Sequence, residues 1–181
     1  MLGPIPTPGV AYLTRALGAS AGVVISASHN PHEDNGVKLF SAEGGKLSDA
    51  LEAEIEAAID TDIQCAAPDK VGGAHRVTEA QARYAAFCVS TYRGPSLAGL
   101  RVVLDCANGA AYKVAPDVLT QLGARLTSIG VAPDGFNINR GCGSTHTELL
   151  RERVRAEGAD VGIALDGDAD RCLLVTADGE V

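Results

Sequence analysis

Leu100-Arg101-Val102-Val103-Leu104-Asp105-Cys106-Ala107-Asn108-Gly109-Ala110 is the stretch on which the fold turns. Leu100 to Asp105 reads as a strand, and Ala107-Asn108-Gly109-Ala110 as a tight turn into a helix that ends near Gly123. Downstream the rhythm repeats. Arg125 to Ile129 is a strand, and a long loop, Val131 to Gly143, follows it. Thr145-His146-Thr147-Glu148 has the capping-box form and opens a helix to Gly158. Val161-Gly162-Ile163-Ala164-Leu165 is another strand, running into Asp166-Gly167-Asp168-Ala169-Asp170-Arg171, and Leu173-Leu174-Val175 leaves that loop. Strands alternating with helices predict a parallel sheet, joined by right-handed crossovers and covered by helices. Asp178-Gly179 is a turn that invites a further strand, so this end reads as cut.

Working upstream, Arg93-Gly94-Pro95-Ser96 clusters Gly and Pro between two patterned segments and marks a domain boundary. The expected domains are 1–93 and 94–181. Thr78-Glu79-Ala80-Gln81 is a second capping box, opening a helix through about Ser90, and Thr61 to Gly73 is a surface connection. Ser48 begins an acidic helix with Asp49 and Glu52 in its first turn and an apolar line of Leu51, Ile55 and Ile59. Val37 to Ser41 and Gly22-Val23-Val24-Ile25 are strands. Thr7 is expected to cap a helix with Pro8 at its first position, and Gly18 stops it. Met1 to Pro6 reads as a loop leaving a strand not present here, so the partner of the Gly22 strand is expected upstream. The fold class is α/β: two consecutive domains with mixed or parallel sheets covered by helices, both truncated.

Composition excludes several functions. The net charge of −8 argues against nucleic acid as a partner, as do 4% aromatic residues and no Trp. No apolar run approaches the ~18 residues of a membrane span, and no secretion signal is visible. The five cysteines, Cys65, Cys88, Cys106, Cys142 and Cys172, are odd in number and scattered without a C-x-x-C pair. They read as reduced thiols of a cytosolic protein.

Two loops carry the chemistry. Ser26-Ala27-Ser28-His29-Asn30-Pro31 follows a buried strand and delivers the Ser28 hydroxyl onto an exposed loop. It lacks the G-x-S-x-G elbow, since Ser26 and Asn30 stand at the glycine positions, so a hydrolase nucleophile is disfavoured against a phosphate carrier. In the second loop Asp166, Asp168 and Asp170 repel one another unless a cation lies among them. An EF-hand fails, because Arg171 stands where glycine is required and Ala177 where an acid is required. An aspartyl phosphatase is disfavoured because Asp168 is followed by Ala169-Asp170 rather than Gly-Thr. A hydroxyl loop with a three-carboxylate loop points to phosphoryl chemistry with a divalent cation.

At these residues the sequence resembles the α-D-phosphohexomutases. Gly3-Pro4-Ile5-Pro6-Thr7-Pro8, Ser26 to Lys38, Asp105 to Ala110 and Asp166 to Arg171 all look like that family's motifs. Pro133-Asp134-Gly135-Phe136-Asn137-Ile138-Asn139, followed by Cys142-Gly143-Ser144-Thr145-His146, resembles its bacterial branch acting on glucosamine phosphates. The resemblance implies Ser28 as the phosphorylated residue, with magnesium held by Asp166, Asp168, Asp170 and a phosphate oxygen on Ser28. It places His29, Asn30, Lys38 and Arg171 at the reacting centre, Lys38 as general base or acid. The implied reaction interconverts glucosamine 6-phosphate and glucosamine 1-phosphate through a bisphosphate. A mannose- or glucose-phosphate mutase of the same family, or an inactive magnesium-binding piece, is the alternative. The implied partners are a phosphosugar and, in the full-length protein, a second copy as a homodimer. One departure is His32, where an aromatic residue usually follows Asn-Pro.

Overall fold

A computed structural model describes residues 1–62 and 65–181; of the expected surface connection 61–73, Ile63 and Gln64 lie outside the described residues. The elements run α1 (Thr7–Ala16), β1 (Ala21–Ser26), β2 (Gly36–Ser41), α2 (Asp49–Ile59), a 3-10 turn (Pro68–Lys70), α3 (Ala80–Thr91), β3 (Arg101–Asp105), α4 (Val114–Gln121), β4 (Arg125–Ile129), α5 (Glu148–Glu157), β5 (Val161–Leu165) and β6 (Cys172–Thr176).

The first sheet is the antiparallel pair β1–β2, with Val24 opposite Lys38 and Ser26 opposite Gly36. Within this chain the strand that pairs with β1 is the downstream β2, which occupies one of its two edges. Helix α1 lays Val10, Leu13 and Thr14 against β1, and Ala80 and Ala85 of α3 join the same core. Tyr12 stacks on Phe87 with ring centroids 4.0 Å apart, which fixes α1 against α3. Val114 of α4 also enters this core, so apolar packing continues across the Gly94-Pro95 segment.

The second sheet has the order β4-β3-β5-β6. β3 is parallel to both β4 and β5, as the strand–helix alternation predicts, but β6 returns antiparallel to β5. The cause is loop length. Only Asp166 to Arg171 separate the two strands, whereas a parallel return needs a crossover of about a dozen residues or more. Val102 to Asp105 of β3 are fully buried, and Leu150 and Val154 of α5 close over Val103, Ala164 and Val175. Each such aliphatic side chain contributes about 1.5–3 kcal/mol on burial. Among the described residues no helix is long and apolar enough to cross a membrane.

Several expected caps are not made. Ser48 does cap α2, accepting from the Leu51 amide. Neither predicted capping box forms, however: α3 and α5 begin after Glu79 and Thr147 with no side-chain cap. Gln81 instead donates its amide to the Pro4 carbonyl at 2.8 Å, and the Thr145 hydroxyl pairs with His146. The line Leu51, Ile55, Ile59 is not a packed face here, since α2 buries none of its residues.

Candidate active site

Chain order and sheet order together fix where the reactive loops meet. From β3 the chain passes to β4 on one side and then to β5 on the other. The carboxyl ends of β3 and β5 therefore flank a topological switch point, where open α/β sheets form their crevices. The turn Cys106 to Ala110 leaves β3 there, and the acidic loop leaves β5. The Ser28 loop, at the end of β1, is seated on the acidic loop, which in turn is bonded to the β3 turn. The Gly167 amide donates to the Ser28 carbonyl at 3.1 Å, and the Ala110 amide to the Gly167 carbonyl at 2.7 Å. These approaches need glycine. A Cβ on Gly167 would lie 2.4 Å from the Ser28 carbonyl oxygen, and one on Gly109 2.2 Å from the Gly167 oxygen.

The acidic loop folds inward. Asp166 and Asp168 are 0% and 1% exposed, while Asp170 lies at the surface. One carboxylate oxygen from each of the three lies within 4.8 Å of the others. The Lys38 ammonium donates to Asp168 Oδ2 at 2.6 Å and to Asp170 Oδ2 at 2.9 Å. Thr7 Oγ1 donates to the same Asp168 oxygen at 2.5 Å, and its amide to the Asp168 carbonyl at 2.9 Å. The Arg171 amide donates to Asp166 Oδ1 at 3.1 Å, whereas its guanidinium is exposed, 3.9 Å from Asp170.

Burial raises the Asp166 carboxyl, and the charges of Asp168 and Asp170 add to this against the Arg171 amide. Burial opposes ionisation of Asp168 too, but hydrogen bonds from Lys38 and Thr7 outweigh it and hold that carboxyl below its usual range. Lys38 is raised: burial disfavours its charge, and its two aspartate partners more than compensate. Thus one close cation pairs with two of the three carboxylates, Asp168 and Asp170. Asp168 Oδ1 is buried and has no hydrogen-bond partner. An unpaired carboxylate oxygen in the interior is costly, and an all-oxygen donor set of this kind suits a hard divalent cation. The three aspartates could hold such an ion.

Ser28 itself adopts a left-handed backbone, φ 53°, and its amide donates to Ser26 Oγ at 2.9 Å. Its hydroxyl lies 3.3 Å from Asp166 Oδ2 and 3.4 Å from His29 Nδ1. A hydroxyl oxygen thus stands beside the carboxylate cluster, at the junction of the two sheets.

The model for phosphoglucomutase/phosphomannomutase alpha/beta/alpha domain I matches residues 1–65, and that for domain II matches residues 82–179. The chain belongs to the phosphoglucomutase/phosphomannomutase family. It is 57% identical over 182 residues to a phosphoglucosamine mutase of Bordetella avium and 58% identical over 180 residues to one of Chromohalobacter salexigens. It covers 100% and 99% of itself in these matches but only 41% and 40% of the relatives, so it spans about two-fifths of their length. A crystal structure of a phosphoglucomutase/phosphomannomutase family protein from Burkholderia thailandensis matches with a TM-score of 0.77 at 25% identity, over 97% of this chain and 39% of that one.

Of the family positions singled out in the sequence, Ser28, His29, Lys38, Asp166, Asp168 and Asp170 come together. Arg171 reaches the cluster with its amide, while its side chain lies at the rim. Asn30 is held by its carbonyl, which accepts from Asn139 Nδ2 at 2.8 Å. His32 packs edge-on against Phe136, 5.3 Å between ring centroids, so the departure from the family pattern bears on the packing of two loops. Three further residues, each standing in a motif quoted for the resemblance, were given no role at the site. Thr7 is a donor to Asp168 and not a helix cap; α1 is capped by Pro6, without a side-chain bond. Asp105, fully buried, accepts from the amides of Ala107 and Gly143 and so ties the turn after β3 to the 131–143 loop. Asn139 is the third.

Proposed function

We propose that this chain is the phosphoserine- and metal-bearing part of a phosphoglucosamine mutase, which interconverts glucosamine 6-phosphate and glucosamine 1-phosphate. The observation that carries the chemistry is the Ser28 hydroxyl, 3.3 Å from Asp166 in a cluster of three carboxylates. Identity of 57–58% along the whole chain to phosphoglucosamine mutases supports the sugar. In this reading Ser28 carries the phosphoryl group, and Asp166, Asp168 and Asp170 hold magnesium together with a phosphate oxygen on Ser28. Magnesium, when bound, supplies positive charge to the phosphoryl oxygens, where transfer accumulates negative charge.

The residues of the chain do the rest. Phosphoserine brings about −2 charge at neutral pH beside three carboxylates. Lys38, its pKa raised against burial by hydrogen bonds to Asp168 and Asp170, serves as a positive clamp and as the general acid or base. Arg171 at the rim adds a second cation toward the incoming phosphosugar. In the donor half-reaction the bond between phosphorus and Ser28 Oγ breaks as a sugar hydroxyl forms its own. The proton of that hydroxyl is passed on through Lys38 or His29, whose Nδ1 lies 3.4 Å from Ser28 Oγ, so that the departing serine oxygen ends protonated. The reverse transfer, from the other end of the bisphosphate, restores phosphoserine. The domains are taken to meet at 93/94. The five free thiols fit a cytosolic setting.

The test is a substrate comparison in a chain extended to the full length of its relatives. Turnover of glucosamine 6-phosphate should exceed that of mannose 6-phosphate and glucose 6-phosphate at least tenfold in kcat/KM. Equal or better turnover of the neutral sugars would assign it to the other branch.

A further inference from the structure

Among the described residues, the non-glycine positions with a left-handed backbone are Ser28, Ala107, Asn108, Asn139 and Ala169, with φ between 48° and 57°. Such conformations cost free energy, and the cost is tolerated where surrounding structure over-determines it. Here they belong to a single hydrogen-bonded junction. Asn139 joins it twice. Its amide donates to the Ala107 carbonyl at 2.9 Å, and its side-chain Nδ2 donates to the carbonyls of both Ser28 and Asn30 at 2.8 Å. Both acceptors are carbonyls, so only the nitrogen can face them and the orientation of the amide is fixed by chemistry.

Asn139 is 6% exposed, and its Oδ1 is buried without a partner. Its side chain leaves one buried acceptor unpaired while spending both amide hydrogens on the carbonyls of the Ser28 loop. What it achieves is local. The Ser28 carbonyl receives two donors, Gly167 N and Asn139 Nδ2, and both come from the sequence that follows β3. In return Thr7, at the start of α1, holds Asp168. Each half of the molecule thus grips the reactive loop of the other.

We propose that Asn139 is a positioning residue: its side-chain amide sets the backbone of the Ser28 loop, and so the direction of the Ser28 oxygen relative to the carboxylate cluster. This rests on the mutase reading for its consequence in turnover, but not for the clamp itself. Displacement of a reacting atom by about 1 Å costs on the order of a hundredfold in rate.

The test uses Asn139→Gly and Asn139→Asp in a chain extended to the length of its relatives. Glycine accepts the left-handed backbone but lacks the amide; aspartate tolerates the same backbone but turns both donors into acceptors facing carbonyls. Both variants should lose about tenfold to a hundredfold in kcat with KM within about threefold of the parent, Asn139→Asp the more severely. Backbone amides of Ser28, His29 and Asn30 should exchange hydrogen at least tenfold faster, while those of β3 and β5 keep their protection. Asn139→Gly turning over within twofold of the parent overturns the proposal, as does unchanged exchange in the Ser28 loop. A parent that shows no mutase turnover defeats the functional reading instead, and the exchange measurement then decides the clamp alone.

Discussion

Replacing Thr7 by Val removes one hydroxyl and nothing else of consequence in volume. In the folded protein that hydroxyl donates to Asp168 Oδ2 at 2.5 Å, with Thr7 6% and Asp168 1% exposed, so water cannot take its place. A hydrogen bond to a buried charged group is worth about 1.5–3 kcal/mol. Lys38 still donates to the same oxygen, so the carboxylate is weakened in its pairing and not stripped. For a chain of this size 1 kcal/mol moves the unfolding midpoint by about 2–4 °C, which gives a fall of about 3–12 °C for Thr7→Val. The chain has no Trp, so helical circular dichroism is the signal to follow, with a chelator present to keep cations off the cluster. The pH dependence has a definite sign. Asp168 is held below its ordinary carboxyl range, so its contribution is present above the unfolded value of about 4 and lost as pH falls through the lower folded value. The gap between parent and Thr7→Val should be full at pH 5 and pH 7 and should narrow below about pH 4. Equal midpoints at pH 7 would show that the Thr7 hydroxyl does not stabilise the Asp168 carboxylate and would leave Thr7 as no more than the first residue of a helix.

Asp170→Asn should weaken magnesium binding at least tenfold by calorimetry while leaving the unfolding midpoint within a few degrees, since Asp170 lies at the surface; unchanged affinity would remove the loop from metal binding. The 181-residue chain made alone should show no mutase turnover in a coupled assay, because it spans about two-fifths of its relatives and transfer depends on positioning; activity within tenfold of a full-length relative would contradict this. Thiol alkylation at pH 8 followed by mass spectrometry should mark exposed Cys65 and Cys172 and spare Cys106 and Cys142, whose thiols burial pushes up to about 12 and about 11. Rapid labelling of Cys106 in the folded chain would show that the core around β3 is open.

Ser28 and the three aspartates were legible in the sequence because each loop is local: a buried strand, then reactive residues at short spacing. The strand–helix rhythm from Leu100 onward was legible for the same reason. Thr7 was not. Thr followed by Pro satisfies the rule for a helix start, and only the fold brings Asp168, 161 residues away, to compete for its hydroxyl. Gln81 shows the same competition, drawn off its capping box by the Pro4 carbonyl. The reversal of β6 could have been read, since six residues cannot carry a parallel return. Asn139 left one faint signal: Asn tolerates left-handed backbone, and it sits in a loop that must turn sharply beside Gly141 and Gly143. Its partners are backbone carbonyls of another loop, and no spacing rule encodes those.

Whether Ser28 carries the transferred phosphoryl group is decided by peptide mapping. A chain extended to full length is treated with glucosamine 1,6-bisphosphate and magnesium, then digested and analysed by mass spectrometry. The expected result is a single phosphate on the peptide holding Ser26 to Lys38, located at Ser28, lost on addition of glucosamine 6-phosphate and absent in Ser28→Ala. A phosphate on any other residue, or full turnover by Ser28→Ala with the bisphosphate supplied, would contradict the account.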